Sequence, residues 1–114
     1  MKNFILAYIA ILIFALLEPF SFVYVVIIKR KSASGYWRSL AYDVDRFGNH
    51  QYRTLFNRLF VKENGYQFGD FRETVSSVLG KNYIKGTLTK SGRILVWILD
   101  KIDKNHVTKS IHEL

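Results

Sequence analysis

The chain has 114 residues, with 17 lysines and arginines against 9 acidic residues, no cysteine and a formal net charge of +8. Once a hydrophobic anchor is subtracted, this length leaves room for one small domain at most. The absence of cysteine excludes disulfides and cysteine-based zinc sites. The positive charge favours partners with anionic surfaces, such as lipid headgroups, nucleic acids or acidic proteins.

A hydrophobic stretch opens the chain. Between Asn3 and Lys29 the only charged side chain is Glu18. A helix that rises about 1.5 Å per residue needs roughly 20 apolar residues to cross about 30 Å of hydrocarbon. We therefore predict a retained transmembrane anchor at residues 1–28. A cleaved signal peptide is the alternative, but apolar residues continue beyond Pro19 and no cleavage site of small residues follows Leu17.

Basic side chains around the anchor set its expected orientation. Lys29, Arg30 and Lys31 follow it, whereas Lys2 and the amino terminus precede it. The end that is richer in lysine and arginine tends to stay in the cytoplasm. We therefore expect a single-pass protein of the bacterial inner membrane whose C-terminal domain is cytoplasmic.

Glu18 and Pro19 lie well inside the anchor, where a carboxylate costs about 2.5 to 3.5 kcal/mol. The proline removes a backbone donor and is expected to kink the helix. One interpretation makes Glu18 a contact between copies or a protonatable site in a helix bundle. The alternative is that Glu18 is protonated, or that the helix shifts and tilts to lift it towards the surface.

Beyond a basic linker at residues 29–35, residues 36–114 are expected to form a small domain of three to five helices. The predicted fold class is therefore mostly α. Apolar residues spaced by three and four predict a helix from Tyr36, with Gly48 as a kink or a break. The loop that ends this helix begins at Glu63.

The next helix is predicted at residues 71–79. Asp70 is its expected N-cap, Glu73 is the partner of Asp70 in a capping box, and Gly80 is expected to close the helix. Residues 82–87 are then expected to form a loop.

Two further helices are predicted towards the C-terminus. Thr89 or Ser91 is expected to cap the first of them. This helix carries apolar residues, including Trp97, on nearly all of its sides. Such a helix forms the centre of a core or touches the bilayer. Asp103 is expected to cap a short terminal helix with His106 in its first turn.

Polar side chains recur in three segments of the domain. The candidate catalytic residues are Asp45, Glu73, Asp103 and His106, and the candidate binding residues are Asn49, Thr74, Ser76, Ser77, Lys81 and Ser110. Carboxylates, an imidazole and hydroxyls are the ingredients of general acid–base catalysis or of a hard-metal site. Each also has a structural explanation at a helix end or on a helix flank. We therefore expect a largely structural network and assign no cofactor and no metal.

Three motifs in this order resemble a family of small, uncharacterised proteins of tailed bacteriophages and prophages, some of them encoded near lysis genes. The motifs are Asp45-x-x-x-Asn49, then Glu73-Thr74-x-Ser76-Ser77-x-x-Gly80-Lys81, then Asp103-x-x-His106-x-x-x-Ser110. The resemblance covers roughly residues 41–111 and leaves out the anchor. It implies a phage context and no particular reaction. Where the family has cysteine after the histidine, this chain has Val107, which favours a structural or binding role for that segment.

The leading functional hypothesis is a membrane-anchored, non-enzymatic phage accessory protein. Its helical domain would bind a partner at the inner membrane, in lysis or host takeover. The expected partners are the lipid bilayer and either another protein or a second copy of the chain, with nucleic acid a weaker alternative. One alternative function is a small hydrolase that uses the Asp/Glu/His set. Another is a holin-like membrane oligomer in which Glu18 lines the contacts between spans.

Overall fold

The computed structural model describes residues 1–112, which form helices joined by turns and by one long irregular segment. The elements are α1 (Lys2–Phe22), a π-helical segment (Val23–Ile28), α2 (Ala33–Gln51), α3 (Arg53–Leu59), α4 (Val75–Lys85), α5 (Lys90–Ile102) and α6 (His106–Lys109). The described residues contain an isolated antiparallel bridge and no strand. The predicted fold class, a long apolar N-terminal helix followed by a small helical domain, is confirmed.

The chain divides into two compact units, Met1–Leu40 and the part from Ala41 onward. In the first unit, residues Lys2–Ile28 make a continuous helix of 27 residues, and an 18-residue stretch of it has a mean hydropathy of 2.5. This helix is long and apolar enough to cross a membrane, and none of its most apolar stretch is buried within the protein. A signal sequence near the N-terminus can meet the same criteria of length and composition.

The apolar helix changes from α-helical to π-helical hydrogen bonding after Phe22. Pro19 lies inside α1, and the following segment is π-helical, with the Lys29 N–H donating to the Tyr24 carbonyl at 2.9 Å. The carbonyl that Pro19 leaves without its helical partner is that of Ala15, four residues before the proline. The π-helical segment begins four residues after the proline and is therefore a separate feature of the helix.

Glu18 has a partner within its own unit. The Tyr36 hydroxyl donates to the Glu18 carboxylate and lies 3.0 Å from Ser21 Oγ. The Trp37 ring stacks on Phe22, with ring centroids 5.0 Å apart. The start of α2 therefore packs against the second half of the apolar helix and supplies a hydrogen bond to its carboxylate.

The core of the second unit lies around α4. The buried apolar residues are Val61, Phe68, Val78, Leu79, Leu88, Val96 and Val107. Helix α4 is buried on most of its sides, whereas α5 buries only Gly92 and Val96 and leaves Trp97 62% exposed. Of the two expectations for α5, a place at the centre of the core is therefore wrong, since α4 has that place, whereas contact with the bilayer stays a prediction.

Helix α4 also begins later than its motif predicts. Thr74 is the N-cap, and its Oγ1 accepts a hydrogen bond from the Ser77 N–H at 3.0 Å. The capping box of Asp70 and Glu73 does not form, because the Glu73 side chain is completely buried and bonded elsewhere. Earlier in the chain, α2 continues through Gly48 without interruption. The break between α2 and α3 lies at Tyr52.

Gly80 does not end α4. The helix runs on to Gly86, which has a left-handed φ of 73° and forms the C-cap, so the loop predicted at residues 82–87 is largely helical. A Cβ placed on Gly80 would lie 2.2 Å from the carbonyl oxygen of Val107. The glycine thus marks the close approach of α6, and a helix end was the wrong interpretation.

We predict that Gly80→Ala lowers the free energy of unfolding by about 1 to 3 kcal/mol, because the added methyl must push α6 away from α4. Gly48→Ala is the matched control, since its Cβ would find its nearest neighbour, Val75 Cγ2, at 3.6 Å. Alanine there should leave stability unchanged or raise it by up to about 1 kcal/mol. Denaturant unfolding of the full chain in detergent micelles measures both. Equal effects would contradict the close approach.

Candidate functional site

One polar group links α2 to the start of α4. Asp45 of α2 accepts hydrogen bonds from the Val75 N–H at 2.7 Å and from Ser76 Oγ at 2.9 Å. The first N–H groups of a helix lack partners within the helix, and the helix dipole favours negative charge there. Asp45 therefore holds the N-terminus of α4 from a neighbouring helix.

The same serine also contacts the C-terminal segment. Ser76 Oγ lies 3.0 Å from His106 Nε2, and His106 Nδ1 lies 3.0 Å from Asp103 Oδ2. We call Asp45, Ser76, His106 and Asp103 the Ser76 group. Lys109 Nζ lies 2.8 Å from the other Asp103 oxygen. The hydrogen bonds from Lys109 and His106 hold the pKa of Asp103 below its usual range.

The order serine, Nε2, Nδ1 and aspartate is the order found in serine hydrolases. Ser76, however, has one hydroxyl proton and two neighbouring acceptors. The Asp45 carboxylate is the stronger acceptor and competes with His106 for that proton. It would also oppose the negative charge that develops during attack on a carbonyl. The Ser76 residue is only 5% exposed. The geometry thus contains the parts of a triad in surroundings that disfavour its chemistry.

A second polar group surrounds Glu73. The Glu73 carboxylate accepts hydrogen bonds from the Tyr66 hydroxyl at 2.6 Å and from Ser77 Oγ at 2.5 Å, and it lies 2.7 Å from Lys81 Nζ. We call these residues the Glu73 group. The Glu73 side chain is 0% exposed and that of Lys81 is 16% exposed. Since a buried charge is tolerated only with partners, these contacts allow Glu73 to lie in the interior.

The Glu73 group shifts the titration of its neighbours. Burial raises the pKa of Tyr66, and the hydrogen bond to Glu73 raises it further. Burial alone would lower the pKa of Lys81, but its hydrogen bond and charge attraction to Glu73 prevail and raise that pKa. Lys81 therefore keeps its proton at neutral pH.

Asn49 belongs to neither group. Its side-chain amide donates to the carbonyls of Asp70 and Glu73 at 3.0 and 2.7 Å, and its oxygen accepts from the Gly69 N–H at 2.8 Å. It thereby fastens the segment before α4 to α2. Asn49 is completely buried, so its role is to satisfy backbone groups in the interior.

Other predicted site residues have local roles. Ser110 Oγ donates to the His106 carbonyl at 2.6 Å, and Thr74 is the N-cap of α4. Asp103 bonds the ring of His106, while Asn105 occupies the cap position of α6. The basic residues Lys29, Arg30 and Lys31 are exposed in the first unit. Within residues 1–112, no cluster of three or more His, Asp or Glu side chains is arranged to hold a metal ion.

Asn82 lies in α4, in the segment predicted to be a loop, and was not among the predicted site residues. Its amide donates to the carbonyls of Tyr66 and Val78 at 2.7 and 2.8 Å, and its oxygen accepts from the Tyr66 N–H and from Thr87 Oγ1 at 2.8 and 2.6 Å. A signal was present, because Asn82 lies four residues after Val78 on what would be the apolar side of a longer helix.

The chain matches no protein-family model, no curated protein and no solved structure.

We predict that Glu73→Ala lowers the free energy of unfolding by about 3 to 5 kcal/mol, because Lys81 loses its partner in a partly buried position. Glu63→Ala is the matched control, since Glu63 is exposed and its loss should change stability by less than about 0.5 kcal/mol. Both values come from denaturant unfolding of the full chain in micelles. A Glu73→Ala protein as stable as the control would show that the Glu73 group is not structural.

Proposed function

We propose that this chain is a membrane-anchored, non-enzymatic accessory protein whose helical domain binds a protein partner at the bacterial inner membrane. The observation that carries the proposal is the contrast between the two kinds of surface in the second unit. Its conspicuous polar residues are bonded to one another, while large apolar side chains of α2 and α3 remain exposed.

The apolar side chains in question form what we call the α2–α3 surface. They are Val44, Phe47, Tyr52, Leu55 and Leu59, each at least 41% exposed. The rings of Phe47 and Tyr52 lie 6.3 Å apart, which joins the end of α2 to the start of α3. Clustered exposed apolar side chains of this size are typical of protein interaction sites.

The polar groups favour binding over catalysis. The Glu73 carboxylate is bonded by three side chains, and the Ser76 hydroxyl donates to the Asp45 carboxylate while it also contacts His106. Satisfied buried networks fix how short helices cross and so make a surface rigid. A rigid surface binds with a smaller loss of entropy.

A phage or prophage origin is part of this proposal and rests on the three-motif resemblance. It places the partner in lysis or in host takeover. The gene neighbourhood tests it: adjacent endolysin and spanin genes would support a lysis role, and a neighbourhood of host housekeeping genes would contradict the phage context.

The holin-like alternative receives less support. It requires Glu18 to seek a contact in another copy of the chain. The hydrogen bond from Tyr36 gives the carboxylate a partner in its own chain.

The partner-binding proposal predicts a specific crosslink. A photo-crosslinking amino acid at Leu55, introduced in the native host, should give one discrete adduct, and Phe47→Asp should abolish that adduct by placing a charge in the contact. The same amino acid at the exposed Gln67 is the matched control and should give none. No adduct at Leu55, or equal adducts at both positions, would contradict the proposal.

A small serine hydrolase is the second candidate, and the contacts of Ser76 with His106 and of His106 with Asp103 favour it specifically. A fluorophosphonate probe tests it directly. The binding proposal expects no labelling of the full chain. Labelling that Ser76→Ala removes and Ser91→Ala preserves would establish the enzyme, since Ser91 is exposed on α5.

We also propose that the helical domain is cytoplasmic, on the basis of Lys29, Arg30 and Lys31. A C-terminal fluorescent-protein fusion should then be bright and a C-terminal alkaline phosphatase fusion inactive. Changing the three residues to glutamine removes the charge bias and should increase phosphatase activity. An active phosphatase fusion of the parent chain would reject this orientation.

A further inference from the structure

Helix α5 presents an outer side that is unlike the α2–α3 surface. Its exposed residues repeat at helical spacing and combine basic with large apolar side chains. We call this the α5 face, and it consists of Lys90, Arg93, Ile94, Trp97, Ile98, Lys101 and Ile102. Its buried side is narrow and carries Gly92 and Val96.

The exposure of the apolar members is large. Trp97 is 62% exposed, Ile94 51% and Ile102 80%. Exposure of one tryptophan and three isoleucines to water is unfavourable for a helix. Burial of each of these side chains would contribute about 1.5 to 3 kcal/mol of favourable free energy. This free energy is gained only when another molecule covers the α5 face.

The charge on the α5 face has one sign. Lys90, Arg93 and Lys101 lie on it, and the Lys101 ammonium is 5.3 Å from the centre of the Trp97 ring. The one acidic residue inside α5, Asp100, is only partly exposed, and its carboxylate accepts from the Val107 N–H at 3.4 Å. Basic and apolar side chains thus share one side, with the acidic group turned towards α6.

We propose that the α5 face lies in the headgroup region of an anionic lipid bilayer. Interfacial helices have this composition: apolar side chains enter the acyl boundary, tryptophan occupies the interface, and lysine stems extend their ammonium groups to lipid phosphates. At about 1.5 Å per residue, the 13 residues of α5 give a contact roughly 20 Å long.

The charge argues for lipid over a second copy of the chain, because two such faces would bring together side chains of the same charge. The covalent tether argues in the same direction. Residues 29–40 separate the apolar helix from the second unit, so a domain that follows a membrane span meets the bilayer at high effective concentration. The inference therefore rests on the anchor of the proposed function, but not on its protein partner.

Tryptophan fluorescence in vesicles tests the inference. The chain has two tryptophans, so Trp37→Phe leaves Trp97 as the sole reporter. The full chain is reconstituted in phosphatidylcholine vesicles with or without phosphatidylglycerol, and with brominated acyl chains as quenchers. We expect bromine quenching of Trp97 in the anionic vesicles, and a weaker effect in neutral vesicles or in high salt, which screens the charges.

Charge reversal provides the matched pair of variants. In the double variant Lys90→Glu/Lys101→Glu, fewer chains should have the α5 face in the bilayer. The ratio of chains with quenched Trp97 to chains with unquenched Trp97 should fall at least about tenfold, since each basic residue near an anionic surface strengthens binding several-fold. Lys62→Glu with Lys85→Glu changes the net charge equally at exposed positions outside the α5 face and should retain the quenching. Far-ultraviolet circular dichroism confirms that both variants are folded.

Each other outcome would overturn the inference. Trp97 unquenched in anionic vesicles, or quenched equally in both charge variants, contradicts a specific lipid contact. Trp97 shielded from aqueous acrylamide but untouched by bromine would mean that protein, such as a second copy, covers the face. Flotation reports the anchor separately: a chain that floats with unquenched Trp97 contradicts this inference alone, and one that does not float contradicts the anchor as well.

Discussion

The segment of residues 60–74 connects α3 to α4 and contains residues that lie in the interior without belonging to a helix. Its backbone N–H and carbonyl groups therefore need partners that no helix supplies. Three asparagine side chains, of which Asn49 and Asn82 are completely buried and Asn57 is partly buried, provide them. Asn49 bonds the backbone of Gly69 and Glu73, Asn57 bonds both backbone groups of Phe68, and Asn82 bonds both backbone groups of Tyr66. Each unpaired buried group would cost about 1 to 3 kcal/mol, so these contacts decide the path of the segment.

The position of the polar groups follows from that path. Once Asn49 holds the backbone of Glu73 against α2, the Glu73 side chain points into the domain and meets Ser77 and Lys81 of α4. The same placement leaves Thr74 to cap α4. It also brings the first turn of α4 against Asp45 of α2. The two polar groups are thus consequences of how one irregular segment is fastened.

Helix α6 depends on a different feature of α4. Gly80 has no side chain, and this lets the backbone at Val107 approach α4 closely. His106 then comes within hydrogen-bond distance of Ser76, and the His112 N–H reaches Ser77 Oγ at 3.1 Å. The C-terminal segment therefore completes both polar groups. This arrangement explains why residues far apart in sequence share contacts, and it supports a structural role for them.

The sequence predicted the elements that depend on local patterns. The long apolar helix follows from hydropathy, and Thr89 caps α5 as one of the two expected residues. The bounds of α4 could not be predicted in the same way. Asp70 and Glu73 have the spacing of a capping box and Gly80 resembles a terminator, but burial of Glu73 and the close approach of α6 are tertiary effects. The polar set was identified by residue type, whereas the division into two groups and the role of Asn82 required the fold.

Hydrogen exchange at the irregular segment tests the central claim most directly. The amides of Tyr66, Phe68 and Gly69 lie outside every helix, but each donates to the side-chain oxygen of an asparagine. By nuclear magnetic resonance of the full chain in micelles, we expect these three amides to exchange as slowly as those in the centre of α4. Exchange as fast as that of exposed turn amides would contradict the account, because the asparagine contacts would then not fix the segment.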